Sequence, residues 1–343
     1  MAGASQGGAE EFFMRLARAF AARRIDQQVV IRTHDERRAT FGRDNVVAAE
    51  LPFGGWFDRR TVPELTNIMN RFRPDIVLSF MNRATRAVAR ARSGYAGNLV
   101  HVARHGGYYD LKYYAGCDHL VGNTPDIVAH MIDRGWPTER AHYLPNFVDA
   151  APAPPVPRAE LDTPDDAPLS LALGRLHRNK AFDVLVDALV DLPDHWLWLA
   201  GSGPEEDALK SRAAAAGVAG RVRFLGWRSD IAALLSAADI LVCPSRHEPL
   251  GNVVIEGWAH QTPVVACASQ GPRQLIMDGV DGLLVPIDDA KALAAAIRRA
   301  GNRDTAQTLV SAGEAAYRRD YTEDVVVDRY LDFLRSVTAR EAA

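Results

Sequence analysis

The stretch PSRHEPLGNVVIEGWAHQTPVV, residues 244–265, decides how the rest of the chain is read. Two glutamates, Glu248 and Glu256, stand on either side of a glycine turn at Gly251 that opens a helix. Apolar, strand-like runs flank this segment, DILVCP at 239–244 and PVVACA at 263–268. A helix N-terminus after such a turn is an anion site, because its first N–H groups lack intrahelical acceptors and the helix dipole adds partial positive charge. Two carboxylates beside it suit a ligand with phosphate at one end and hydroxyls at the other, the shape of a nucleotide sugar. A helix-capping acid plus a surface acid would give the same pattern.

Working outward, residues 169–300 alternate strands and helices, which indicates parallel βαβ units. The strands are expected at 169–176, 195–201, 221–226, 239–244, 263–268 and 282–286. After the first of them come Gly174, Arg175 and Lys180. Cations just past a strand end suit a diphosphate, since ligands in parallel sheets bind outside the carboxyl ends of strands. Two solvated surface cations are the bland alternative. The tail, about 303–340, reads as two more helices.

Toward the N-terminus a second α/β series appears. Gly7–Gly8 feed a helix whose Phe12, Leu16 and Phe20 recur on one face. Strand-like runs follow at 27–32, 75–80, 98–103, 118–123 and 141–146, with helices at 61–72 and 124–134 between some of them. His105 lies just past one strand run, in VARHGGYYDLKYY; alone it fits a core histidine as well as a functional one. Residues 151–168 hold six of the 19 prolines and read as an interdomain linker. The domains expected are 1–150, joined by a returning helix at about 321–343, and 169–320.

Composition narrows the class. With 343 residues, 48% apolar and 24% charged, the chain is globular and long enough for two cores. Cys117, Cys243 and Cys267 show no paired spacing, so neither a disulfide frame nor a zinc site is expected. No apolar run reaches the ~18–20 residues of a membrane span and no signal-peptide core is visible, so a cytoplasmic location is expected. Net charge is −3, but residues 1–104 carry 17 Lys/Arg against 10 Asp/Glu (+7) and the remainder 23 against 33 (−10). The basic part suits an anionic acceptor or a peripheral contact with an anionic membrane surface, or else is a solvated arginine face. No nucleic-acid partner is expected.

Taken together, GRL with Lys180, GSGP at 201–204, RVRFLGW at 221–227, the two glutamates with seven residues between them, and PVVA resemble the retaining glycosyltransferases of family 4. The resemblance runs from the Gly7–Gly8–Ala9–Glu10 loop to the last helix. It implies an α/β GT-B fold, two Rossmann-like domains with parallel sheets facing across a cleft. It implies transfer of a sugar from a nucleoside-diphosphate sugar to a saccharide or lipid-linked acceptor, without a metal or other cofactor. Subgroups of this type build cell-surface glycans, lipopolysaccharide core among them. Two readings stay beside it: a nucleotide-sugar epimerase on the same scaffold, and a non-catalytic nucleotide-sugar-binding protein. A dinucleotide-dependent dehydrogenase is disfavoured, because no G-x-G-x-x-G follows a first strand.

Carried over position by position, Arg175 and Lys180 would bind the diphosphate. Leu250, Gly251, Asn252 and Val253 would meet the phosphate and the base or ribose edge. Glu256 would hold the ribose and Glu248 would face the donor sugar. Backbone around Phe224 and Trp227 would read the base. His105 would stand at the donor sugar, and Gly7 and Gly8 would line the acceptor side. The chain departs from the family at Phe147, Pro249, Gly257 and Gln261, and most of all at its start. The family has a central strand before the glycine loop, whereas six residues precede Gly7, so a gap or a compensating strand is expected.

Overall fold

Six parallel strands form the sheet that carries the opening stretch. The computed structural model describes residues 1–3, 7–44, 46–55 and 57–341, without the side chains of 36, 340 and 341. In chain order the strands are β1 (Val29–Arg32), β2 (Ala48–Leu51), β3 (Ile76–Phe80), β4 (Val100–His105), β5 (His119–Gly122), β6 (Ala141–Tyr143), β7 (Leu169–Leu173), β8 (Trp196–Ala200), β9 (Val222–Gly226), β10 (Ile240–Cys243), β11 (Val264–Cys267) and β12 (Leu283–Val285). The chain divides into two compact units, Met1–Phe147 with Glu323–Ala343, and Val148–Thr322.

The second unit has strand order β12-β11-β10-β7-β8-β9, all pairs parallel. This is the doubly wound order, with its switch point between β7 and β10, where a ligand site is expected at the carboxyl ends. The strands are apolar on both faces because helices cover both, as in buried parallel sheets. Leu171, Trp198, Leu241 and Val264 are fully buried.

Residues 151–168, whose prolines suggest an interdomain linker, lie within the second unit. The Arg158 guanidinium donates to the Ala237 carbonyl at 2.7 Å, and Trp198 Nε1 donates to Thr163 Oγ1 at 2.9 Å. Proline removes backbone donors, but Arg158 and Thr163 supply side-chain bonds that fasten the stretch to the sheet.

In the first unit, β3-β4-β5-β6 form one parallel sheet and β1-β2 a second, two-stranded one. β2 was not foreseen: its four residues AAEL are mostly half-buried and lack an apolar pattern. The helices Asp35–Arg43 and Asn82–Ala91 were not foreseen either. The expected gap is present. Edges of β1 and β3 line a cavity of about 520 Å³.

The last helix, Glu323–Glu341, packs on the helix Gly8–Ala22 within this unit. Tyr330 is fully buried against Phe12 with ring centroids 6.0 Å apart, and Arg104 Nε donates to its hydroxyl at 3.1 Å. Phe147, where the family often has glycine, fills this core edge-on to Phe12 at 5.5 Å. No helix among the described residues is long and apolar enough to cross a membrane.

Candidate active site

Three backbone segments converge at the carboxyl ends of β7, β8 and β9. Ser202 C=O accepts from Leu176 N–H at 3.0 Å, and Leu176 C=O accepts from Glu205 N–H at 3.1 Å. A Cβ on Gly201 would lie 1.8 Å from the Gly174 carbonyl oxygen, and one on Gly203 would lie 2.3 Å from that of Leu176. The GSGP turn therefore needs glycine to press against the segment bearing Arg175. Arg175 itself is exposed and has no ion-pair partner among the described residues.

Lys180 ends a short turn over Arg178–Lys180, and the next residue, Ala181, takes a left-handed φ of 52° while fully buried. A non-glycine residue there is strained and held by its surroundings. The strained turn delivers the Lys180 ammonium to the Glu248 carboxylate, with which it forms a short ion pair. Burial lowers the lysine's proton affinity, but the charge of Glu248, with Cys243 and Glu256 adding to it, holds it above the usual lysine value. Lys180 is thus a cation, paired with Glu248 and within the field of Glu256.

Glu248 also organises the helix start. Its Oε1 accepts from Gly251 N–H at 3.3 Å, and its backbone C=O accepts from Gly271 N–H at 2.7 Å. Gly251 has φ 82°, and a Cβ on it would meet Leu275 Cδ1 at 2.9 Å. The helix then runs Asn252–Ala259, so Asn252 and Val253 occupy its first turn and Glu256 its second. Gln261 sits left-handed at φ 54° where a glycine is usual. Gly257 cannot be the usual alanine, because its Cβ would meet Val264 Cγ2 at 2.4 Å.

Arg246 is the residue that sequence reasoning missed, although it lies in the opening stretch. Its guanidinium pairs with both carboxylate oxygens of Asp183 at 2.9 and 2.7 Å and with Asp288 at 2.5 Å. Its backbone N–H donates to Asn179 C=O at 2.8 Å. Arg246 therefore ties the Glu248 loop to the Lys180 turn. The partners lie 63 and 42 residues away, a spacing no local motif reveals.

Beyond β9, Trp227 is 56% exposed, whereas the Phe224 ring packs on the core with the Lys210 ammonium 5.5 Å from its centroid. Any base reading at Phe224 is left to its backbone.

In the first unit, His105 ends β4 and is fully buried, its ring 3.9 Å from that of Tyr114. Neither ring nitrogen has a sound hydrogen bond. Burial first, then the charges of His130 and Arg104, push its pKa down to about 3, against a small opposing pull from the Gly107 backbone. The imidazole is therefore neutral. Gly7 and Gly8 begin the first helix: Gly8 is exposed, and a Cβ on Gly7 would meet Glu10 Oε2 at 2.6 Å. The preceding loop residues 4–6 lie outside the described residues.

Among the described residues, the buried side-chain atoms without a partner are both His105 nitrogens, Asn123 Oδ1, Ser269 Oγ and Gln270 Oε1. All four residues end or follow a strand at its carboxyl end. Unsatisfied buried groups cost about 1–3 kcal/mol each, and these lie at the carboxyl ends of strands, the edge at which parallel sheets bind ligands.

A doubly wound α/β unit with a cation, two carboxylates and a helix N-terminus at its switch point is the class of protein that fold and site define. Residues 6–151 match the family Glycosyltransferase Family 4, and residues 167–302 match Glycosyl transferases group 1. The chain belongs to this glycosyltransferase family. It is 36% identical to the lipopolysaccharide core biosynthesis glycosyltransferase LpsE of Rhizobium meliloti, over 96% of each chain. It is 34% identical to LpsD of the same organism, over 98% of this chain and 97% of that one. In fold it resembles Anabaena Alr3699/HepE, solved with UDP and glucose, at TM-score 0.83 and 20% identity over 96% of each chain. The lipopolysaccharide outer core galactosyltransferase WaaB is similar at TM-score 0.75 and 18% identity, over 98% of this chain and 97% of that one. The two Rossmann-like units are those of the GT-B fold.

Proposed function

We propose that this glycosyltransferase moves a sugar from a nucleoside-diphosphate donor to a saccharide or lipid-linked acceptor in lipopolysaccharide-type glycan synthesis. We further propose retention of anomeric configuration and no requirement for a metal or other cofactor. The observation that carries the reading is the Lys180–Glu248 pair beside the helix Asn252–Ala259 at the sheet's switch point. The near full-length similarity to LpsE and LpsD supports the acceptor class.

In this reading the diphosphate lies against Arg175, Lys180 and the first turn of the helix. Charge develops on the diphosphate as the glycosidic bond breaks, and these fixed positive groups stabilise it in place of a divalent cation. Glu256 accepts from the ribose hydroxyls, and Glu248 faces the donor sugar once the diphosphate takes over Lys180. His105, neutral and short of partners, offers a hydrogen bond to a sugar hydroxyl and no proton transfer. The basic first part of the chain suits an anionic acceptor held at a membrane surface.

The experiment is transfer from a panel of UDP-, GDP-, ADP- and dTDP-sugars to truncated lipopolysaccharide core, with and without EDTA, and the product's anomeric configuration read by NMR. Retained configuration with undiminished turnover in EDTA supports the reading. Inverted product, or full loss in EDTA restored by a divalent cation, contradicts it. An epimerised donor formed without acceptor would favour the epimerase.

A further inference from the structure

Arg104 is the last residue of β4 with a strand on both sides. It is in register with Phe80 of β3 and Val121 of β5, whereas His105, one residue on, is in register with Gly122 of β5 alone. Arg104 is 2% exposed, and among the described residues it forms no ion pair with a carboxylate. Its guanidinium lies instead over the Phe12 ring, 4.4 Å from the centroid, with that of Phe80 at 5.5 Å. Nε donates to the Tyr330 hydroxyl at 3.1 Å, and a terminal nitrogen donates to Asn146 Oδ1 in a short bond.

Burying a cation without a carboxylate is costly, and an apolar side chain of similar volume would fill the same space with less desolvation. What the guanidinium adds is a rigid fork of donors. The fork reaches two segments remote in sequence, 42 residues away at Asn146 and 226 at Tyr330. Asn146 stands one residue before Phe147, where the chain leaves the first unit, and Tyr330 lies in the segment Glu323–Ala343 by which it returns. Arg104 therefore ties both segments to the end of β4.

His105 depends on that end. Neither of its ring nitrogens has a sound hydrogen bond, and its ring contacts are Tyr114 at 3.9 Å and Tyr109 at 5.7 Å. Its orientation is thus left to packing and to the course of the β4 backbone. That backbone is paired on one side only at His105, and the permissive Gly106 and Gly107 follow. Successive strand residues point to opposite faces, so Arg104 acts from the face that carries Phe12 and Tyr330 while the His105 ring lies on the other.

We propose that Arg104 is a positioning residue for sugar transfer: bonded to Tyr330 and Asn146, it fixes the end of β4 and so sets where the His105 ring stands. The proposal rests on the reading that His105 meets the donor sugar, and it adds that the returning helix helps to place that histidine.

The test is a double-mutant cycle between His105→Gln and Tyr330→Phe, which removes the hydroxyl and keeps the ring on Phe12. Transfer to truncated lipopolysaccharide core is measured from whichever of the UDP-, GDP-, ADP- and dTDP-sugars supports it, and hydrogen exchange is followed over residues 104–107. Tyr330→Phe is expected to speed that exchange and to lower kcat, each at least about 5-fold, with KM for the donor within about twofold. In the His105→Gln background the same substitution is expected to change kcat less than about twofold, since the residue it acts through is gone. Arg104→Lys keeps the charge without the fork and is expected to lose at least as much kcat as Tyr330→Phe. Unchanged exchange or unchanged kcat in Tyr330→Phe, full activity in Arg104→Lys, or an equal fold loss in both backgrounds overturns the proposal alone. His105→Gln turning over at the unsubstituted rate overturns the reading of His105, and the proposal with it.

Discussion

Lys180 and Glu248, 68 residues apart in sequence, meet as a largely buried ion pair at the point where the strand order of the second sheet reverses. Removing either partner leaves the other charge buried and uncompensated, whereas removing both does not. Lys180→Met and Glu248→Gln are each expected to cost about 1–3 kcal/mol of stability, with the double variant less destabilised than their sum by at least ~1 kcal/mol. Urea unfolding of the four proteins measures this; additive losses would show that the pair carries no coupling.

Function should separate the two residues. Lys180→Met is expected to weaken nucleoside-diphosphate binding at least about 10-fold, the loss of one charge-assisted contact. Glu248→Gln is expected to leave that affinity within about threefold and to lower kcat at least about 100-fold, an interaction made in the transition state. Calorimetry and initial rates give both numbers.

Arg246 acts at one remove, through Asp183, Asp288 and Asn179. Asp183 is held below the usual carboxylate range: burial opposes this, but the Arg246 bond and charge outweigh it. Arg246→Met is expected to destabilise the second unit by about 1–2 kcal/mol, discounted because the ion pairs are partly exposed. It is also expected to lower kcat more than it raises KM, because it loosens the Lys180 turn. Arg246→Lys cannot reproduce the forked contact and should rescue less than half of the stability lost.

Acid should weaken the first unit through its buried histidines. Burial is the leading cause for both His101, lowered to about 4, and His105, lowered to about 3. The unfolded chain binds protons at the ordinary histidine value of 6.5, while the folded one resists until pH 3–4. Their contribution is therefore complete above pH 6.5 and is lost as pH falls through that window. Two such groups give a slope approaching about 2.7 kcal/mol per pH unit, twice 1.36. His105→Gln should flatten this limb, and lower transfer while leaving nucleoside-diphosphate affinity in place; pH-dependent urea titrations and rate assays check both.

Gly201 tests the convergence of the strand ends. Its φ of 154° is accessible to other residues only with strain, and its Cβ would lie 1.8 Å from the Gly174 carbonyl. Gly201→Ala is expected to displace the Gly174–Arg175 segment, costing at least ~2 kcal/mol and most of the donor affinity. Gly217, with φ 70° and open space around it, should cost only about 1 kcal/mol as alanine and leave donor affinity unchanged.

Most of the second unit was legible because its strands are continuous apolar runs bounded by glycine and proline, and every one of the six appears where its pattern places it. The strand β2 was not, because AAEL owes its conformation to pairing with β1 and to Glu50, which accepts from His34 N–H at 3.0 Å and meets the Arg38 guanidinium. Residue type and spacing single out Lys180 and Glu248, which the fold brings into contact. Arg246 was invisible because its role rests on two aspartates brought together by folding. For 151–168, composition alone does not reveal the Arg158 and Thr163 bonds that anchor the stretch.

The central claim is that the second unit holds a nucleoside diphosphate on Lys180 beside the helix at Gly251. Thermal unfolding with UDP, GDP, ADP and dTDP, on the unsubstituted protein and on Lys180→Met, tests it most directly, since a ligand bound only by the folded state stabilises it by mass action. The account predicts that at least one nucleoside diphosphate raises Tm by several degrees at 1 mM, and that Lys180→Met abolishes most of that rise. A protein that none of the four stabilises, or an equal rise in Lys180→Met, would contradict it.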